Sequence, residues 1–235
     1  MKPTLKTILW LFLFSIAMGY MESAVVIYLR KIFYPGGFKF PLVPLDVQTG
    51  MVELLREAAT ITMLAGIAIV AGSKNSLRFA YFIFCFAIWD LCYYFFLWLF
   101  LSWPESLFTW DILFLIPVPW VGPVLAPCIV SITMLTLASG IIYFHRKGLD
   151  TKFKRVEWIL LLLGTCLVFL SFISDYIVYL NGYNEAIANT ISREQNNFDV
   201  LNNYIPVFFN WKMFSLGEGM MVWGMGRYLA RGRNV

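Results

Sequence analysis

Five carboxylates stand inside long apolar runs of this chain: Glu22, Glu57, Asp90, Asp175 and Glu218. A carboxylate in such a place can hold a cation, carry a proton or accept hydrogen bonds. Left alone at the centre of a membrane helix, one Asp costs roughly 2.5–3.5 kcal/mol on insertion scales, so these groups usually face protein or water. The nearest candidate counter-ions are Arg56 and Lys212. Five acids against two bases cannot all be paired carboxylates. Some acids are held protonated, or a bound cation neutralises them, or water reaches them. The plainer alternative is that each acid hydrogen-bonds Tyr, Ser or broken-helix amides and locks the bundle.

Helical spacing favours an inward orientation. Ser15, Gly19, Glu22 and Ser23 share one face of the first apolar run. Glu53, Glu57 and Thr60 stack at i, i+4 and i+7 in the second. Asp90 has Tyr93 and Tyr94 one turn on. Gly164, Ser171, Asp175 and Tyr179 align, as do Ser215 and Glu218. Gly217 and Gly219 flank Glu218, and small residues allow close helix contact.

The elements that carry these acids follow from composition. The chain is 60% hydrophobic and 14% charged, against roughly 45–50% and about 25% in soluble domains. Both departures point to the bilayer. The fold expected is all-α: a polytopic membrane helix bundle forming one transmembrane domain over residues 1–235. About six spans are predicted, near 7–29, 51–72, 79–102, 123–144, 156–180 and 205–228. The first begins like a signal peptide, with Lys2 and Lys6 ahead of an apolar core. Its apolar run is long enough for a span, and a retained helix is expected. A polar loop, Asn181 to Asn203, precedes the sixth.

Between the third and fourth spans lies WDILFLIPVPWVGPVLAP, from Trp110 to Pro127. As one helix, Asp111 to Phe144 would run about 50 Å, against a hydrocarbon core of about 30 Å. Pro123 after Gly122 is a favourable helix start. Residues 112–121 are therefore expected as a non-helical or half-helical, re-entrant or interfacial segment. Such backbone is tolerated at membrane depth only when protein covers it or it lines a cavity. The free N–H groups at the start of the fourth helix could face Asp111, another carboxylate or an anionic ligand.

Six spans put both termini on one side. Of the Lys and Arg residues, twelve fall on that side and six on the other, including Arg30, Lys31 and Lys39. The positive-inside rule then makes the termini cytoplasmic. Glu22, Glu57 and Asp175 fall in the outer half, Asp90 and Glu218 near the middle, and the cytoplasmic half is nearly free of acids.

Cys85, Cys92, Cys128 and Cys166 form no CxxC pair and read as packing residues. His145 is the sole histidine and sits at a helix end. Haem and zinc are not expected, and no other cofactor is predicted; a bound cation stays open. No GxSxG, HExxH, P-loop or GxGxxG in context is present. The small net charge of +4 does not point to nucleic acid.

The run TWDILFLIPVPWVGPVLAP, with YMESAVVIYLR and REAATITML, resembles a family of uncharacterised bacterial multi-pass membrane proteins. The patches cover about a fifth of the chain. The resemblance implies a bacterial cytoplasmic membrane and carries no activity with it.

The functional expectation is an outward-facing carboxylate cavity handling a small solute, cation or proton. Its candidate residues are Glu22, Glu57, Asp90, Asp175, Glu218, Arg56, Asp111 and Tyr94. A structural or assembly subunit of a larger membrane complex is the alternative, with the aromatic run Tyr93 to Phe96, Trp98 and Phe100 meeting partner helices, a second copy or lipid. A third reading is a lipid-modifying enzyme with carboxylates on Mg²⁺. It lacks an acid cluster on one helix, Glu53 and Glu57 coming closest.

Overall fold

A computed structural model describes residues 4–44, 46–149, 152–188 and 203–231, the side chains of 183–188 excepted. Six helices are described: α1 (Leu5–Phe33), α2 (Val47–Ala71), α3 (Asn75–Leu101), α4 (Leu125–Lys147), α5 (Arg155–Ala188) and α6 (Trp211–Arg231). Strands β1 (Trp110–Phe114) and β2 (Trp120–Pro123) stand between α3 and α4.

Local chemistry sets the ends. The Thr4 and Asp46 side chains accept the N–H of Thr7 and Thr49, capping α1 and α2. Gly148 ends α4 in the left-handed region at φ 75°. Arg30 and Lys31 lie in the last turn of α1, and His145, Arg146 and Lys147 in that of α4, where cations suit the helix dipole. His145 is half-buried and hydrogen-bonded to Ser76, not simply solvated.

Five helices, α1 to α5, are long and apolar enough to cross a membrane. Exposed Leu9, Trp10, Val70, Trp98, Ile132 and Leu162 spread over them, as a lipid-facing surface requires. Helix α6 lies outside this set, because Glu218, Arg227 and four glycines lower its hydropathy.

The main helix packings are α5 with α6, α1 with α3, α3 with α4, and α2 with α3. Helices α1 and α2 both lean on α3, but their pairing is not among these contacts. The space between them matters below. In α5 and α6 the approach is closest at Gly164 and Gly217. A Cβ on Gly217 would stand 2.7 Å from the Gly164 carbonyl oxygen, whereas one on Gly219 meets nothing within 4 Å. Only the first of the two glycines beside Glu218 therefore serves helix contact. Gly217→Ala should cost about 1–3 kcal/mol by overpacking. Gly219→Ala should be neutral or stabilise by up to about 1 kcal/mol through helix propensity. Unfolding in detergent with a denaturant series checks the pair; equal effects would refute the close contact.

The proline-rich stretch is a β-hairpin. Asp111 pairs with Gly122 and Ile112 with Val121, with a register shift before Phe114 pairs with Trp120. Its turn descends into the bundle. The Leu115 N–H donates to both oxygens of Glu57, at 3.0 and 2.9 Å. Glu57 lies ten residues into α2, about 15 Å along its axis. The turn thus sits well below the helix ends. Pairing within the hairpin and the bond to Glu57 occupy backbone groups that lipid could not satisfy. Phe114 packs on Phe86 and Trp89 of α3, and Trp120 on Phe169 and Phe172 of α5.

Several boundaries move from expectation. Pro123 is the last residue of β2, and α4 starts at Leu125. Helix α5 runs on to Ala188, into the stretch expected as a polar loop. Helix α6 begins at Trp211, because residues 204–210 are held extended by contacts described below. Most of the 181–203 stretch, with Lys2, Arg193 and Arg233, lies outside the described residues.

Candidate functional site

A cavity of about 240 Å³ lies between α1, α2, α3, α4 and the hairpin. Of the residues singled out in the sequence, Glu22, Arg56, Glu57, Asp90, Tyr94 and Asp111 line it. Asp175 and Glu218 do not. Arg30 and Glu53 line it as well.

The depth of these groups follows from their helices. Glu22 lies eleven residues before the end of α1, and Asp90 eleven before the end of α3. Each is about 16 Å from the hairpin end of its helix, level with Glu57. The i, i+4, i+7 stack holds: Glu53, Glu57 and Thr60 are all buried.

Two ion-paired groups and two separate carboxylates make up the charged part of the lining. Arg56 bonds Glu53 through Nε and Nη2, at 3.0 and 2.8 Å, and its other terminal nitrogen pairs with Glu22. Thr60 donates its hydroxyl to Glu22 at 2.9 Å. This cluster is the bridge between α1 and α2. Nearer the hairpin end, Arg30 pairs with Asp111 at 3.0 Å, both almost fully buried. The Arg30 guanidinium also lies over Trp103 at 3.6 Å and Phe38 at 4.3 Å. Such contacts favour a desolvated cation. The second oxygen of Asp111 and the Tyr94 hydroxyl are neighbours without a hydrogen bond of normal geometry.

Glu57 and Asp90 are different. Glu57 accepts the Leu115 N–H, with the Ile116 N–H also near it. Asp90 accepts the Ser131 hydroxyl at 2.7 Å. Neither takes part in an ion pair among the described residues. The cavity has five acids, Glu22, Glu53, Glu57, Asp90 and Asp111, and two arginines already engaged with three of them. It can therefore receive positive charge more readily than negative.

The other two predicted acids tie helices together. Asp175 on α5 accepts the Tyr204 hydroxyl at 2.6 Å and the N–H groups of Val207 and Phe208 at 3.1 and 3.2 Å. It fixes the extended approach to α6. Burial, and the bond and charge of Asp175, push the Tyr204 phenol far above its ordinary range. Tyr204 thus stays a donor. Glu218 on α6 accepts the Thr133 hydroxyl of α4. One acid cluster open to a single cavity, as read from the sequence, is thus divided: three of the five in the cavity, two in helix ties.

Three features escaped sequence reading. Arg30, counted from the sequence only among the charges of one membrane side, is buried in an ion pair. The signal was present: Gly19, Ser23, Ile27 and Arg30 form one buried stripe at helical spacing. Lys212, expected as a counter-ion, is exposed at the start of α6. The end of the bundle opposite the hairpin, expected to be nearly free of acids, buries Glu157. That carboxylate accepts the Lys154 N–H at 2.7 Å and pairs with Arg231 at 3.3 Å. It joins the start of α5 to the end of α6.

Among the described residues no group of three or more His, Cys, Asp or Glu side chains is placed to hold a metal ion. The described cysteines are free thiols. Compared with protein-family models, with curated proteins and with solved structures, the chain matches none.

Proposed function

We propose that this is an integral membrane protein that takes a cation or a protonated small solute into an intramembrane carboxylate cavity. The observation that carries the reading is the pair Glu57 and Asp90. Both line the cavity at mid-depth, and neither is in a salt bridge among the described residues, while Arg30 and Arg56 pair with Asp111, Glu22 and Glu53. Two buried carboxylates kept without counter-ions in a membrane helix bundle are costly. A proton or a cationic solute offsets that cost, and its binding then responds to the gradient across the membrane.

In this reading α6 is a sixth span and both termini are cytoplasmic, in a bacterial inner membrane. The hairpin lies on the outer side and enters the bundle from there. Support comes from the excess of Lys and Arg on the side of the termini.

The test is ion flux in proteoliposomes loaded with a pH-sensitive dye, under a potassium gradient with valinomycin. Wild-type protein should pass protons or exchange them for a cation well above protein-free vesicles. Glu57→Gln and Asp90→Asn should each lower the rate at least fivefold, while Glu105→Gln, in an exposed turn, leaves it unchanged. Equal rates for wild type, both variants and empty vesicles would sink the reading.

A second reading, a subunit of a larger membrane assembly, draws on the exposed aromatic face of α3 at Phe95, Trp98 and Phe100. Native mass measurement after gentle extraction decides it. A sole monomer or homodimer argues against it.

A further inference from the structure

The cavity wall beside the two unpaired carboxylates is aromatic. Phe86 and Trp89 of α3 meet at 5.1 Å between ring centres. Phe114 of β1 touches both, at 6.3 and 6.1 Å. Trp120 of β2 continues the row at 5.5 Å from Phe114, and Phe172 of α5 lies 6.3 Å beyond. All five rings line the cavity. Four separate elements supply them, so the row is a product of the tertiary fold and not of one helix face.

The carboxylates are attached to this wall. Asp90 follows Trp89 in the chain. Glu57 is bonded to the N–H of Leu115, the residue after Phe114. Both acids are held by neutral donors only. A ring face attracts a positive charge through its quadrupole, and the attraction grows when the site is desolvated. A carboxylate beside such faces recognises an ammonium group with an apolar body.

We propose that the cavity binds a small organic ammonium ion, its charge held by Glu57 and Asp90 and its apolar part by the Phe86–Trp89–Phe114–Trp120 wall. This rests on the carboxylate-cavity reading above and names its ligand class. Other occupants fit less well. Hard inorganic cations want six or more oxygen ligands, which a wall of rings does not supply. A proton alone needs no cavity far larger than a water site. An anion would meet surplus carboxylates, since Arg30 and Arg56 are already paired. A volume of about 240 Å³ lies below the usual range for drug-sized ligands, roughly 300–1,000 Å³. The ligand is therefore compact.

Three isosteric probes test the charge: benzylamine, benzyl alcohol and benzoate, offered to the purified full-length protein in detergent micelles by equilibrium dialysis at pH 7. Benzylamine should bind saturably, at least tenfold more tightly than benzyl alcohol, with benzoate weakest. This series needs no variant, so it does not depend on any substitution folding. Glu57→Gln and Asp90→Asn should each weaken benzylamine at least tenfold. The charge-keeping Glu57→Asp and Asp90→Glu should stay within about threefold of wild type. Phe86→Leu, which removes a ring and keeps an apolar side chain, should weaken benzylamine more than benzyl alcohol. Benzyl alcohol or benzoate binding as tightly as benzylamine overturns the proposal. If that happens while proton flux still depends on Glu57 and Asp90, the ligand class falls and the cavity reading stands. If flux is also indifferent to both acids, both fall.

Discussion

Arg30→Ala destabilises the folded protein by about 3–5 kcal/mol, the usual cost of breaking a buried ion pair from one side. Its partner Asp111 is only 1% exposed and would keep a charge with no cation beside it. Arg30 also joins three pieces that are distant in sequence: the end of α1, the hairpin, and the turn after α3 that carries Trp103. Removing the side chain opens a gap between Trp103 and Phe38 as well as an unpaired charge. Arg30→Lys keeps the charge but loses the planar stacking and should fall between wild type and alanine. The double replacement Arg30→Met with Asp111→Leu should recover much of the loss, because a well-packed apolar pair can match a buried ion pair. Denaturant unfolding in detergent measures all four proteins. A double variant no more stable than Arg30→Ala would show that the ion pair is not what Arg30 contributes.

The second large effect is expected at Asp175→Ala. Hydrogen bonds to a charged acceptor contribute roughly 1.5–3 kcal/mol each. Asp175 accepts three, but Val207 and Phe208 are exposed, so a net loss of about 3 kcal/mol is expected. Tyr204→Phe removes one donor and should cost about half of that. The signature is local as well as global. Amide exchange at Val207 and Phe208 should speed up strongly in Asp175→Ala and little in Tyr204→Phe, which leaves both amide bonds intact. Unchanged exchange in the alanine variant would mean that the carboxylate does not hold this segment.

These two sites show why the acids could be found in the sequence but not sorted. Insertion energetics flags any carboxylate in an apolar run, so Glu22, Glu57, Asp90, Asp175 and Glu218 stand out together. Helical spacing then orients them, and Glu53, Glu57 and Thr60 do share a buried face. Nothing local separates Glu57, which lines the cavity, from Asp175, which clasps a chain segment. Their partners are far away: Leu115 for Glu57, Tyr204 and Val207 for Asp175, Thr133 for Glu218.

The sequence by itself determined the apolar helices, their order and the break at the prolines. Those features follow from hydropathy, helix length and the missing N–H of proline, all local properties. Only the tertiary structure decided that the broken stretch is a β-hairpin, since strand pairing is a contact between residues with no fixed spacing. It decided that the turn of that hairpin lies against Glu57, and that Arg30, not Lys212, balances an acid. It also placed an aromatic row from four elements beside two carboxylates outside any salt bridge. Each of these depends on which faces meet when α1 and α2 both lean on α3 and are joined to each other at the Glu22–Arg56 cluster. That arrangement leaves a space, and residue spacing along one helix carries no information about a space between helices.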